Sequence, residues 1–91
     1  MKYYTTTFNN NKELLEKDGL KSGSEGAGYV EVYSLPLMAR NHRHPIDELL
    51  VELELEDEDV IPVVDSKVVL VKRNIPPSKI KICKLDKGKL V

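Results

Sequence analysis

The chain has no tryptophan, one phenylalanine and one cysteine among its 91 residues. With so few large aromatics, its core must be assembled from Val, Leu and Ile. A single cysteine, Cys83, excludes an internal disulfide and a thiolate zinc site. No apolar run approaches the roughly 18 residues that a membrane-spanning helix needs. The opening MKYYTTTFNNNK has one Lys followed by polar residues, so it lacks the apolar stretch of a secretory signal. Internal repeats and low-complexity tracts are also missing. These absences set the expectation of a reduced, cytoplasmic protein with no membrane partner. What is present suits one small domain over residues 1–91: 41% of residues are apolar, 32% are charged, and the net charge is −1. Such a composition weighs against disorder of the whole chain.

The small net charge hides a division along the chain. Residues 1–46 carry six bases and five acids; residues 47–65 carry nine acids and no Lys or Arg; residues 66–91 carry eight bases and one acid. A basic C-terminal third suggests a nucleic-acid footprint. The plainer reading is that basic and acidic strands are neighbours that neutralise each other, and it is favoured because the basic stretch lacks aromatics on which bases could stack.

Local pattern predicts the elements. Lys2–Phe8, rich in Tyr and Thr, suits a strand. Asn9 or Asn10 is positioned to cap a helix over 11–17 that ends at Asp18-Gly19. Lys21 to Gly28 holds three glycines and two serines, a flexible connector. Tyr29–Leu35 is a second strand, with Val30 and Val32 on one face and Tyr29, Glu31 and Tyr33 on the other. Pro36 either stops this strand or opens a short helix over Pro36–Asn41. Val51–Glu56 alternates strictly, Val51, Leu53 and Leu55 against Glu52, Glu54 and Glu56, so one face is buried and one wet. Val60–Val64 is a short strand that Pro62 places at an edge or a bulge, and an exposed edge there would allow a homodimer as well as a monomer. Lys67–Lys72 and Lys79–Leu85 complete the set. The fold class is α+β: a single small domain with a mostly antiparallel five- to six-stranded sheet, one clear N-terminal helix and a short second helix.

Several residues invite a chemical reading. His42 and His44 lie on one side of an extended segment and could share a metal, with Asp47 and Glu48 as further ligands; ordinary loop histidines are the plainer view. Glu52, Glu54 and Glu56 stand roughly 6–7 Å apart along one strand face, where they could bind a cation or include a catalytic acid. A row facing water, or facing Lys79 and Lys81, is the plainer view. Cys83 has lysines around it but no Cys–His motif, so it is not assigned as a nucleophile. Tyr4, Tyr29 and Tyr33 sit on the first two strands and could stack a flat ligand or anchor a protein partner.

The order of the pieces carries a resemblance. Tyr3-Tyr4-Thr5-Thr6 is followed by Lys12-Glu13-Leu14-Leu15-Glu16-Lys17-Asp18-Gly19-Leu20, then by Gly28-Tyr29-Val30-Glu31-Val32-Tyr33-Ser34. Next come Leu37-Met38-Ala39-Arg40, VELELE, and VVLVKRNIPPSKIKI with its Ile75-Pro76-Pro77-Ser78-Lys79-Ile80. In this order they resemble a truncated and degenerate ADP-ribosyltransferase fold, in the branch that includes RNA 2′-phosphotransferase and DNA-modifying ADP-ribosyltransferase toxins. The resemblance implies NAD as cofactor, Tyr4 and Thr5 on the nicotinamide ribose, Tyr33 stacked on the nicotinamide, and a strand Glu orienting the nucleophile. Family enzymes hold NAD with a His or Arg on the first strand, where this chain has Tyr4, and they are longer.

Two functions follow as expectations. The first is a small non-catalytic interaction protein with no cofactor, an inhibitor or regulator type that docks another protein through Tyr29, Tyr33 and the acidic Asp57, Glu58 and Asp59. The second is a minimal NAD-dependent enzyme of the resembled kind, which requires a cleft between the first two strands with a carboxylate facing it. Nucleic-acid binding through the basic C-terminal strands is a third, weaker reading.

Overall fold

The computed structural model describes residues 1–23, 28–41, 47–64, 66–86 and 89–90, with residues from 84 onward described by their backbone alone. Strand β1 (Lys2–Thr7) leads through a 3₁₀ turn (Asn9–Asn11) into helix α1 (Lys12–Asp18). Strand β2 (Val30–Tyr33) and helix α2 (Pro36–Asn41) follow. The rest is strand: β3 (Leu49–Glu54), β4 (Val60–Pro62), β5 (Val68–Val71), β6 (Ile80–Asp86) and the two-residue β7 (Lys89–Leu90). Six strands form one antiparallel sheet and β7 extends its edge, in the order β4-β5-β2-β1-β3-β6-β7. This is the α+β architecture expected from the sequence. Among the described residues, no helix is long and apolar enough to cross a membrane.

Period-two alternation sorts side chains onto two faces. Tyr3, Val32, Val51, Leu53 and Val71 are buried on one face, where Leu15 of α1 and Ile75 close the main core. Leu50 is buried on the other, beneath Ala39 of α2, with Tyr4, Tyr33 and Cys83 packed around it. Helices therefore cover both faces, and β3, with Leu49, Leu50, Val51 and Leu53 all buried, is the most enclosed strand.

Two close approaches hold the segment after α1 in place. Gly19 ends the helix at φ 79°, with its N–H donating to the Leu15 carbonyl at 3.1 Å. A Cβ at this position would lie 2.0 Å from the Ile75 carbonyl oxygen, so only glycine fits. Next door, Leu20 and Ile75 exchange N–H···O bonds of 2.9 and 2.8 Å. The start of α1 departs from expectation. Asn9 and Asn10 belong to the 3₁₀ turn, and the Ncap residue is Asn11, which makes no side-chain cap bond. Its amide donates instead to Thr7 Oγ1 at 2.8 Å, because the tight turn brings that hydroxyl within reach.

Charge segregation along the chain is undone by the sheet. Lys81 on β6 stands opposite Glu52 on β3, and Arg73 Nε pairs with Asp59 Oδ1 at 3.1 Å. The described bases of the C-terminal third lie at both ends of the sheet, with Lys67, Lys72 and Arg73 flanking β5 and Lys79 and Lys81 at β6.

Candidate functional site

The sheet is joined at its centre by very little. β1 pairs with β3 from Lys2↔Glu54 to Thr7↔Leu49, and β2 pairs with β5 along its whole length. Between β1 and β2 the register consists of Tyr4↔Tyr33 alone. Continued, that register would put Thr6 opposite Glu31; instead the two strands part. β2 is drawn toward β5 by the fully buried Ser22, whose Oγ donates to the Val71 carbonyl at 2.6 Å and accepts the Val30 N–H at 2.9 Å. Ser22 N–H in turn donates to Asn74 Oδ1 at 2.9 Å. On the other side β1 follows β3.

The parting leaves a cleft of about 280 Å³. β1 contributes Thr5 and Thr6, β2 contributes Val30, Glu31 and Tyr33, α2 contributes Ala39, and Asp47 lies just ahead of β3. Thr6 Oγ1 donates to Asp47 Oδ2 at 2.8 Å, which ties that carboxylate to β1 on the β3 side of the split. Burial pushes the Tyr33 phenol pKa up, and the neighbouring Glu31 carboxylate pushes it further. Two threonines, a tyrosine and two acidic residues thus line one space, with no Lys or Arg among its described lining residues.

Of the residues expected to contact NAD, Thr5 and Tyr33 line this cleft. Tyr4 lies beside it, packed against the Ala39–Leu50 cluster. Glu52, Glu54 and Glu56 are elsewhere. Glu52 pairs with Lys2 Nζ at 3.1 Å, which raises the Lys2 pKa through that hydrogen bond and its charge. Glu54 pairs with the N-terminal ammonium at 3.2 Å. Glu56 and Asp59 cap the 3₁₀ turn Asp57–Asp59 reciprocally. Glu52 and Glu54 share a separate groove with Lys2, Ser78, Lys79 and Lys81.

The residues expected to meet a partner divide in the same way. Tyr29 is 53% exposed, and Asp57 and Glu58 face solvent. Asp59 is 5% exposed and serves the fold, accepting from the Glu56 N–H and pairing with Arg73. Arg73 also donates to the Glu58 carbonyl at 2.6 Å. Cys83 is half-buried within the second core. His42 and His44 lie outside the described residues; among those that are described, no group of three or more His, Cys, Asp or Glu could hold a metal ion.

Sequence reasoning did not assign Glu31, Thr6 or Asp47 to this site. Glu31 was legible in part, because alternation puts it on the Tyr33 face. Asp47 is brought to the cleft by the return of the chain to β1, which no local pattern signals. Compared with known protein families, curated proteins and solved structures, the chain matches none.

Proposed function

We propose that this chain is an ADP-ribosyltransferase-like protein that takes NAD in the β1–β2 cleft. The observation that carries the reading is the parting of the first two strands, with carboxylates facing the gap and Thr5 and Tyr33 on its walls. At about 280 Å³ the cleft falls just below the roughly 300–1,000 Å³ usual for ligand pockets. That suits the nicotinamide-ribose end of the dinucleotide rather than the whole. The donor set fits: Thr5, Thr6 and Tyr33 offer hydroxyls to an amide or a sugar, while Glu31 and Asp47 accept from ribose hydroxyls. When bound, NAD supplies a glycosidic bond to a good leaving group. The chain's part is to orient the ribose, to exclude water with Ala39 and Val30, and to set a carboxylate beside the reacting carbon. We assign that task to Glu31 or Asp47, which line the cleft, in preference to Glu52, Glu54 and Glu56. The setting we propose is the cytoplasm, where a lone cysteine stays reduced.

A calorimetric titration with NAD tests this. Saturable binding at micromolar to low-millimolar NAD, lost in Tyr33→Ala and kept in Glu52→Gln, supports the reading. No heat at millimolar NAD retires it.

A second reading is a non-catalytic protein that docks a basic surface of another protein. It is favoured by one feature: the capping box and Arg73 brace the 57–59 turn so that Asp57 and Glu58 are held outward. Its mark would be a complex lost in an Asp57→Asn, Glu58→Gln double variant and indifferent to Glu31.

A further inference from the structure

We infer that the outer edge of β4 is closed to strand pairing, so that the sheet of one copy of this chain does not continue into the sheet of a second. The inference is independent of the NAD reading. β4 stands first in the strand order, and among the described residues no strand pairs with its outer side. Its side chains invite pairing: Ile61, Val63 and Val64 are exposed, and an apolar edge is a ready template for another chain. A template of that kind also needs main-chain N–H groups that face outward. Here both are removed, each by a different device.

The direction of each main-chain group follows from bonds on either side of β5. In an antiparallel pair, successive residues alternate between turning N–H and C=O toward the partner and turning both away. Lys72 N–H donates to the Asp59 carbonyl at 2.9 Å, which turns Asp59 toward β5. Two residues on, Ile61 faces β5 as well, opposite Leu70. Val60 and Pro62, opposite Val71 and Val69, therefore face outward. β5 agrees, because the Val71 carbonyl is turned the other way, toward β2, where it accepts from Ser22 Oγ. The Val60 N–H is taken by the Asp57 carbonyl, which closes the 3₁₀ turn. That turn is itself braced by the Glu56–Asp59 cap and by Arg73. Pro62 has no N–H. Over its three residues the outer edge of β4 thus presents the carbonyls of Val60 and Pro62 and no free main-chain donor.

Self-pairing shows the effect. An antiparallel pair of β4 strands centred on Ile61 would set Val60 of each copy opposite Pro62 of the other. Every ladder bond of that pairing would have to be donated by a Val60 or a Pro62 N–H, and neither is available. The facing carbonyls would lose water and gain no partner, which opposes the attraction of the apolar side chains.

Sedimentation velocity of the intact chain, from micromolar to high-micromolar concentration, tests this. The samples are the wild type, Pro62→Val, which restores one outward donor per copy, and the Ile61→Lys, Pro62→Val double variant. The wild type should stay monomeric, the Pro62→Val mass should rise with concentration, and the double variant should return to monomer. Two restored bonds per dimer should tighten self-association about thirtyfold. Amide exchange in Pro62→Ala supplies a second measurement should Pro62→Val fail to fold. In the dilute monomer the amide introduced at position 62 should exchange as fast as an open strand edge. Slow exchange there would turn position 62 toward β5 and overturn the inference. So would a wild type that self-associates and is made monomeric by Ile61→Lys, or a folded Pro62→Val variant that stays monomeric throughout.

Discussion

Tyr4 and Tyr33 form the one register pair through which the two halves of the sheet are joined. Both rings pack against the Ala39–Leu50 cluster under α2. They are therefore a structural hinge pin before they are a ligand surface. Tyr4→Ala should cost about 2 kcal/mol, less than the 3–5 typical of a fully buried aromatic because the ring is only half-buried. Urea denaturation measures this. Tyr4→Phe, which keeps the ring, should cost well under half as much.

Gly19, like Gly23, should be among the least tolerant positions. Any side chain there meets the Ile75 carbonyl and must also hold φ near 79°. Gly19→Ala should lose more than about 3 kcal/mol, since backbone conflict adds to the left-handed strain. Hydrogen exchange should show the Leu20–Ile75 bridge opening first.

Ser22 anchors β2 to β5 from a fully buried site. Ser22→Ala leaves the Val30 N–H and the Val71 carbonyl without this partner and should cost about 2–3 kcal/mol. Because Val30 lines the cleft, ligand affinity should drop along with stability, whereas a core truncation such as Leu53→Ala should lower stability alone.

Alkaline pH should destabilise the protein in a definite way. The Tyr33 pKa is raised from its ordinary 10.0 by burial and then by Glu31. That of Lys2 is raised from 10.5 by its hydrogen bond to Glu52 and by the Glu52 charge. Each group holds its proton more tightly folded than unfolded. The stability they contribute is therefore complete below pH 10 and lost as pH rises through the folded-state values. Urea midpoints between pH 8 and pH 11.5 should fall steeply only in the upper part of that range, and Tyr33→Phe should flatten the fall.

Much of the fold was legible because it is written in local alternation. Val51, Leu53 and Leu55 are buried as the pattern demands, Gly19 ends α1, and Pro36 opens α2. Opposition of Lys81 to Glu52 follows from the same logic applied to charge. The misses come from long-range geometry. Asp59 sits in a run of acids that suggests full exposure, yet a reciprocal cap and Arg73 bury it. The cleft exists because a ladder fails to continue beyond Tyr4↔Tyr33. That depends on Ser22 holding β2 to β5, a contact between residues 49 positions apart in the chain. Glu31 could be placed on the Tyr33 face from alternation, but nothing local shows that Asp47 and Thr6 meet there.

The central claim is that the ligand site is the split between β1 and β2. Its most direct test is a map of amide shifts during titration of the isotopically labelled protein with NAD. The account predicts shifts concentrated at Thr5, Thr6, Glu31, Tyr33 and Asp47, and none at Glu52, Glu54 or Ser78. Shifts confined to the Glu52–Lys81 groove, or no shifts at millimolar NAD, would contradict it.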